Sequence, residues 1–585
     1  MLIRACALLA CCLLVSSPLQ AQDGGAAALT DAEAAQIDAL FAPWATDHTP
    51  GWAVGVVRDG VLVFAKGYGL ANLEHGVPIT PRSVFYMASA SKQVAAACAA
   101  VLVQQGRLAL DADIRAYLPE LPDYGVPVTV GDLLYHTSGI REYTSLQLFA
   151  GLDPDFEVAY TNDDLVRLAA DQRALNFEPG TAFRYSSLNY VLLTELIERL
   201  TGTTLDAFAR THLFAPLGMD DTQFDMDHHQ VVPGRVQAYR QRGDGYERYT
   251  KTFDAYGDGG LLTTVEDLAR WDAAFYAPLV GAPGWAALMT TEGTLRRGPH
   301  AGAPVGYAMG LQFRDVYGRR AVEHNGGMLG FTVDLVRFPE ERLSVIVLGN
   351  HFAAWSTALA YQVAGFLLEE LPASPSTPPP TVAPAAELAA YAGRYESTAR
   401  NFYRRLVIAP DGTLRFDWGD GDGSSGERVY PVAPHQFVIP ARTDGWWHAP
   451  AQTLTVDLEA GTLAWTQGEG RPLVLERYDP TPPRELADVR DLVGTYHSPE
   501  LHATYRLFIE ADTLHLQVNQ QAPRRLFPDP APGVIWNARN RVWIGVGQVR
   551  VLRDAAGQVT ALQIGDRRVD GVRFERQSVR ASGRR

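Results

Sequence analysis

A short pattern recurs in the last third of this 585-residue chain and fixes much of its organisation. Tyr391-Ala-Gly-Arg-Tyr395 returns as Leu492-Val-Gly-Thr-Tyr496, Gly412-Thr-Leu414 as Asp512-Thr-Leu514, and Leu475-Glu-Arg477 as Phe574-Glu-Arg576, at offsets of 101, 100 and 99 residues. Three matches in one order at one spacing imply two copies of a single unit. Each copy alternates short β-prone runs with turns and carries almost no helix signal, which reads as a small closed β-barrel. The two units are placed at 387–478 and 479–579. A stiff linker at 371–386, containing Pro372-Ala-Ser-Pro-Ser-Thr-Pro-Pro-Pro380, precedes them, and Asp479-Pro-Thr-Pro-Pro483 divides them.

Upstream the pattern changes. Thr30-Asp-Ala-Glu33 is a capping box, and the amphipathic run from Ala34 to Trp44 continues it as a helix. Trp52 to Val57 and Val61 to Lys66 are β-rich runs joined at Asp59-Gly60, a tight hairpin. Helical spacing then dominates from Leu108 to Trp271, notably at 165–170 and 190–200. Strand character returns at 307–314, 321–324, 330–337 and 343–348, before a last helix at 356–368. Strands at both ends with helices between them predict an α+β unit over 22–370: one antiparallel sheet flanked by helices, with an inserted all-helical lobe and a cleft between sheet and lobe.

Met1-Leu-Ile-Arg4, the apolar run Ala5 to Val15 and Ser16-Ser-Pro-Leu-Gln-Ala21 read as a secretory leader at 1–21, so the expected location is periplasmic or secreted. The leader holds Cys6, Cys11 and Cys12, which leaves Cys98 alone and excludes an internal disulfide. No later apolar run approaches the roughly twenty residues of a membrane span. The formal charge of −15 argues against nucleic acid and anionic membrane as partners. Oligomeric state stays open.

The chemistry concentrates at Val84-Phe-Tyr-Met-Ala-Ser89-Ala-Ser-Lys92, where a β-prone run gives way to an Ala-rich helix. Serine and lysine three residues apart project from one face of a first helical turn. A serine hydroxyl attacks a carbonyl poorly unless a neighbour takes its proton, and an amine does so only where its surroundings disfavour the ammonium form. Ser-x-x-Lys also arises by chance, and an N-terminal serine is ordinarily a cap. Two further stretches supply what such a pair lacks. Arg184-Tyr185-Ser186-Ser187 offers a phenol for proton relay, and Glu323-His324-Asn325-Gly326-Gly327 offers an imidazole where a strand ends in a turn.

In that order, Ser89-x-x-Lys92, Tyr185-Ser186-Ser187 and His324-Asn325-Gly326 resemble the serine β-lactamase-related superfamily, specifically its class C-like branch of esterases, D-aminopeptidases and DD-carboxypeptidases. Leu133-Leu-Tyr-His136-Thr-Ser-Gly-Ile140, Pro216 to Phe224 and Gly259-Gly-Leu-Leu-Thr-Thr264 add to the likeness, which covers roughly 29–370. The resemblance implies a β-lactamase/transpeptidase-like fold. It also implies Ser89 as acylated nucleophile, Lys92 as its proton acceptor or electrostatic partner, Tyr185 as the base serving the leaving group, and His324 where β-lactamases carry lysine. The amides of Ser89 and Gly327 would form the oxyanion hole, with Ser187, Asn325 and Gly326 contacting substrate. No cofactor or metal is implied. Ser187 replaces an amide-bearing residue and Gly326-Gly327 lacks the hydroxyl that helps hold a β-lactam carboxylate, so weak β-lactamase activity is expected, and a small amide, ester or D-amino-acid peptide as substrate. His324 is expected to act as a weaker, pH-dependent cation.

The catalytic unit followed by two barrels resembles the D-aminopeptidase subgroup, in which a barrel loop restricts the cleft. A short-chain carboxylesterase and a non-catalytic penicillin- or cell-wall-binding protein are the alternatives. Structural readings suffice elsewhere: His136 as a loop residue beside the cleft, His228-His229 as a solvated loop, Cys98 as packed core. Ser424 in Asp422-Gly-Ser-Ser-Gly426 is rejected as a nucleophile elbow, and Trp446-Trp447 reads as barrel core.

Overall fold

The computed structural model describes residues 28–152, 159–368, 385–397, 402–417, 427–439, 452–467, 473–478, 485–527, 534–537, 541–544, 547–566 and 568–577. The leader, nearly all of the first linker, the dividing linker, Ser424 and Trp446-Trp447 lie outside them.

The chain opens with helix α1 (Asp31–Phe41), started by the Thr30/Glu33 capping box. Strands β1 (Trp52–Arg58) and β2 (Val61–Tyr68) follow, turned at Asp59 and Gly60 with φ of 52° and 77°. After a short 3₁₀ turn at Ala88–Ser91 comes α2 (Lys92–Gln104). The second half of the sheet is β3 (Gln312–Val316), β4 (Arg319–Met328), β5 (Phe331–Phe338) and β6 (Leu343–Gly349), capped by α3 (Ser356–Leu367).

The sheet order is β3-β4-β5-β6-β1-β2, antiparallel throughout, so the two ends of the unit meet where Trp52 pairs with Gly349. Alternation along β1 sorts its side chains between two cores. Trp52, Val54 and Val56 pack with α1 and α3, and Ala53 and Val57 join the core that holds α2 and the lobe. Every residue of β5 and β6 is buried, because both faces are covered.

Three details differ from the sequence reading. Residues 307–311 are not strand. They form a turn at Gly310 (φ 68°), where an added Cβ would lie 2.6 Å from the Gln93 backbone, so glycine lets the chain press against α2. β4 runs on past His324 to Met328, and its turn falls at Leu329-Gly330, both with positive φ. The lobe is not all-helical: it includes the hairpin Ala238–Arg242/Gly245–Tyr249 and a small sheet of Phe85–Tyr86, Leu261–Thr263 and Gln223–Phe224. Among the described residues no helix is long and apolar enough to cross a membrane.

The repeat becomes two nine-stranded antiparallel sheets, each bent so that its first strand pairs with its last. Complete closure is not reached among the described residues. Each ladder stays open at one seam, between Glu427–Arg428 and Tyr430–Ala433 in the first and between Arg524–Phe527 and Val534–Asn537 in the second. The repeated residues tie the first and last strands of each sheet in the same way. Tyr395 donates to Tyr391 O and Tyr496 to Leu492 O, both at 2.8 Å, while Arg477 donates to Ala392 O at 2.7 Å and Arg576 to Val493 O at 2.6 Å.

The second barrel docks on the lobe through a shared apolar core. Leu146 and Phe149, on a helix spanning Tyr143–Phe149, are fully buried with Tyr496, Tyr505, Val569 and Phe574. At the edge, Arg141 Nη1 lies 2.6 Å from Glu500 Oε2, and Tyr505 donates to Phe149 O at 3.0 Å.

Candidate active site

Ser89 sits in the 3₁₀ turn ahead of α2, just after Ala88, which holds a left-handed φ of 44°. Such a conformation in a residue with a side chain persists only where its surroundings fix it. Here Met87 N donates to Leu261 O at 2.8 Å, and Ser91 Oγ accepts from Leu261 N at 3.0 Å while donating to Ala88 O at 2.6 Å. On the other side Gly326 of β4 lies so close that an added Cβ would sit 2.2 Å from Met87 O.

Lys92 is fully buried. Its Nζ donates to Ser89 Oγ at 3.2 Å, Asp258 O at 2.6 Å and Ser187 Oγ at 3.4 Å. It also lies 5.0 Å from the centre of the Tyr185 ring. The Tyr185 hydroxyl is buried and has no hydrogen-bond partner among the described residues, an unsatisfied donor of the kind that a ligand completes. Ser89, Tyr185, Ser187, Asp258 and Gly327 line one cavity of about 350 Å³, within the range of small-molecule sites. The structure therefore brings together the serine, amine and phenol singled out in the sequence, and places Gly327 at the same cavity.

The strand residues behave differently. His324 is buried and does not line the cavity; its Nε2 is 3.0 Å from Tyr307 Oη and its Nδ1 2.7 Å from Asn325 O. Burial, and then the Lys92 charge, push the imidazole down to about 3, so the expected cation is a neutral ring beside Tyr185. Asn325 turns away from the cavity, its Nδ2 3.4 Å from Thr357 Oγ1 on α3. Gly326 is a close-packing position against the nucleophile turn and does not line the cavity. Ser187 keeps its place in the cleft, with its amide donating to Glu142 Oε2 at 2.6 Å.

His136 lies buried beside the cleft, its Nε2 without a hydrogen-bond partner among the described residues. Its Nδ1 accepts from Ser186 N at 3.2 Å and lies 3.1 Å from Asn189 Nδ2, which places the ring 4.3 Å from that of Tyr185. Burial first, then Lys92, hold it neutral. Cys98 is buried and free. His228 is not simply solvated: its Nδ1 is 2.8 Å from Asp254 Oδ1, a partner 26 residues away.

Four contributors went unrecognised in the sequence. Asp258 gives Lys92 its carbonyl, and its carboxyl, pushed up by burial, accepts from Tyr143 Oη at 3.1 Å. The only signal was its place before Gly259-Gly260. Glu142 lies fully buried beneath Ser187. Tyr307, in a run whose sequence predicts strand, donates or accepts at His324 Nε2 across 3.0 Å. Arg568 comes from the second barrel and lines the cavity, its guanidinium 5.7 Å from the Tyr185 ring centre.

Comparison with known proteins identifies relatives of the chain. The beta-lactamase family profile matches residues 36–366. A D-aminopeptidase of Gluconobacter oxydans is 27% identical over 462 residues, covering 77% of this chain and 80% of its own. A D-aminopeptidase of Brucella melitensis is 25% identical over 537 residues, covering 90% of this chain and 96% of its own. The octameric penicillin-binding protein homologue from Pyrococcus abyssi shares the fold, with a TM-score of 0.53 at 22% identity over 76% of this chain and 100% of that one. With the profile matched over more than half of its residues, the chain belongs to the beta-lactamase family and is one of its serine hydrolases.

Proposed function

We propose that the protein is exported and cleaves small amides or short D-amino-acid peptides through an acyl-enzyme on Ser89. The observation that carries this reading is the 3.2 Å contact between Lys92 Nζ and Ser89 Oγ beneath an unsatisfied Tyr185 hydroxyl. Ser89 attacks the carbonyl carbon as its proton passes to the Lys92/Tyr185 pair, acting as ammonium with phenolate or as amine with phenol. The amides of Ser89 and Gly327 receive the oxyanion, each such donor typically being worth about 3 to 4 kcal/mol. Tyr185 returns a proton to the leaving nitrogen, and water then releases the acyl group from Ser89. His324, neutral, holds Tyr307 against Tyr185 and carries no charge into the step.

Two features favour a small peptide or amide substrate. The relatives named D-aminopeptidase align far beyond the catalytic unit, up to 90% of this chain. The cleft is also narrowed by a loop of the second barrel. A short-chain carboxylesterase is the second reading, because Ser187 offers a hydroxyl committed to Lys92 where an amide would reach the acyl group. Hydrolysis of D-alanine p-nitroanilide against p-nitrophenyl butyrate separates the two, and a large preference for the butyrate overturns the peptidase assignment. Covalent labelling of Ser89 without turnover of any substrate would favour the non-catalytic binder. Amino-terminal sequencing of the exported protein tests the leader, with Gln22 as the expected first residue.

A further inference from the structure

Arg568 sits in the loop between strands Val559–Gly565 and Val572–Arg576, and its backbone is tied on every side. Arg568 N and Val569 N donate to Asp566 Oδ1 at 2.7 and 2.8 Å. Arg568 O accepts from Asn176 Nδ2 at 2.8 Å, and Asp570 N donates to Asn176 Oδ1 at 2.8 Å. Asp570 Oδ2 lies 2.9 Å from Arg184 Nη1. By contrast, the guanidinium makes no hydrogen bond among the described residues. Its nearest acid, Glu142 Oε2, is 3.8 Å away and already accepts the Ser187 amide. The loop thus fixes a cation at the cleft wall with donors to spare.

The cleft otherwise offers an anion little. Lys92 is committed to Ser89, Asp258 and Ser187, and β4 presents Gly326 and Gly327 with no hydroxyl. A guanidinium suits a carboxylate better than any neutral acceptor, through paired N–H donors, and repels a substrate ammonium placed beside it.

We propose that Arg568 is a specificity-determining residue that receives a carboxylate of the substrate on the leaving-group side of the scissile bond, next to Tyr185. This rests on the hydrolase reading above and favours, among its substrates, short peptides with a free carboxyl terminus.

The test uses the full chain and its R568Q and R568K variants, with circular dichroism to verify folding. Two matched pairs are compared: D-alanyl-D-alanine with its carboxyl amide, and N-succinyl-D-alanine p-nitroanilide with D-alanine p-nitroanilide. R568Q is expected to lower kcat/KM for D-alanyl-D-alanine roughly 10- to 100-fold, mainly through KM, and to leave its amide and both anilides within about twofold. R568K should recover part of the loss. A fall confined to the succinylated substrate would overturn the leaving-group placement, and equal changes across each pair would overturn the role altogether. A fluorophosphonate label on the same preparations separates the levels: Ser89 labelled with unchanged ratios refutes Arg568 alone, whereas neither labelling nor turnover in the wild type refutes the hydrolase reading beneath it.

Discussion

Glu500→Ala should open the cleft to bulky reagents without touching the nucleophile. Glu500 and Arg141 meet at 2.6 Å with side chains only 10% and 4% exposed, at the edge of the core that docks the second barrel. Breaking a buried pair by removing one member costs about 3 to 5 kcal/mol. Arg141 keeps two other acceptors, Gln172 Oε1 at 3.2 Å and Asp570 O at 3.1 Å, so the lower figure applies. About 3 kcal/mol raises the undocked fraction roughly 100-fold, at ~1.36 kcal/mol per decade. Because Arg568 travels with that barrel, undocking withdraws it from the cleft. The assay is the second-order rate of Ser89 labelling by a small sulfonyl fluoride and by a bulky rhodamine fluorophosphonate. The bulky rate should rise towards a plateau, up to roughly 100-fold, while the small-reagent rate stays within about twofold. Unchanged rates for both in a folded Glu500→Ala protein would refute the idea that barrel docking controls access.

Other predictions concern the nucleophile turn and the buried histidines. Gly326→Ala drives a Cβ into Met87 O and should cost about 100-fold in kcat/KM through displacement of Ser89, and activity within threefold of wild type would contradict the packing role. His324 and His351 are pushed down to about 3 and about 4, chiefly by burial, against about 6.5 in the unfolded chain. The unfolded state therefore binds more protons between these values, so stability is complete above about pH 6.5 and falls as pH drops towards 4. Urea midpoints of His324→Gln across that window should fall less steeply than those of the wild type, and equal slopes would show that His324 does not titrate on unfolding. Lys92→Met should keep the fold and reduce turnover about 10³-fold or more, whereas activity within tenfold would remove Lys92 from the proton path.

Much of this was legible because it rests on local rules. The Thr30 capping box and the Asp59-Gly60 hairpin declare themselves within a few residues, and α2 begins where the Ala-rich run does. The duplication showed in sequence for a physical reason: Tyr395 and Tyr496 hold backbone carbonyls four residues back, and Arg477 and Arg576 hold others across the first and last strands. What stayed hidden depends on contacts between distant segments. The burial that neutralises His324 comes from Tyr307 and the sheet around it, so a residue read as a cation is not one. Gly326 reads as a substrate position because a glycine two residues after His324 has two explanations, and the approach of Met87 O accounts for it by packing. Arg568 sits in the loop before the last strand of the second copy, which has one residue more than its counterpart in the first. That divergence within a repeat was the available signal, but the docking that gives it meaning is tertiary.

The claim on which the account depends is that Ser89, activated by Lys92 and Tyr185, becomes acylated. Intact-mass and peptide mapping of protein quenched during turnover of D-alanine p-nitroanilide test it directly. The account predicts a single acyl increment on the peptide containing Ser89, absent from Ser89→Ala. An adduct on another residue, or an equal adduct in Ser89→Ala, would contradict it.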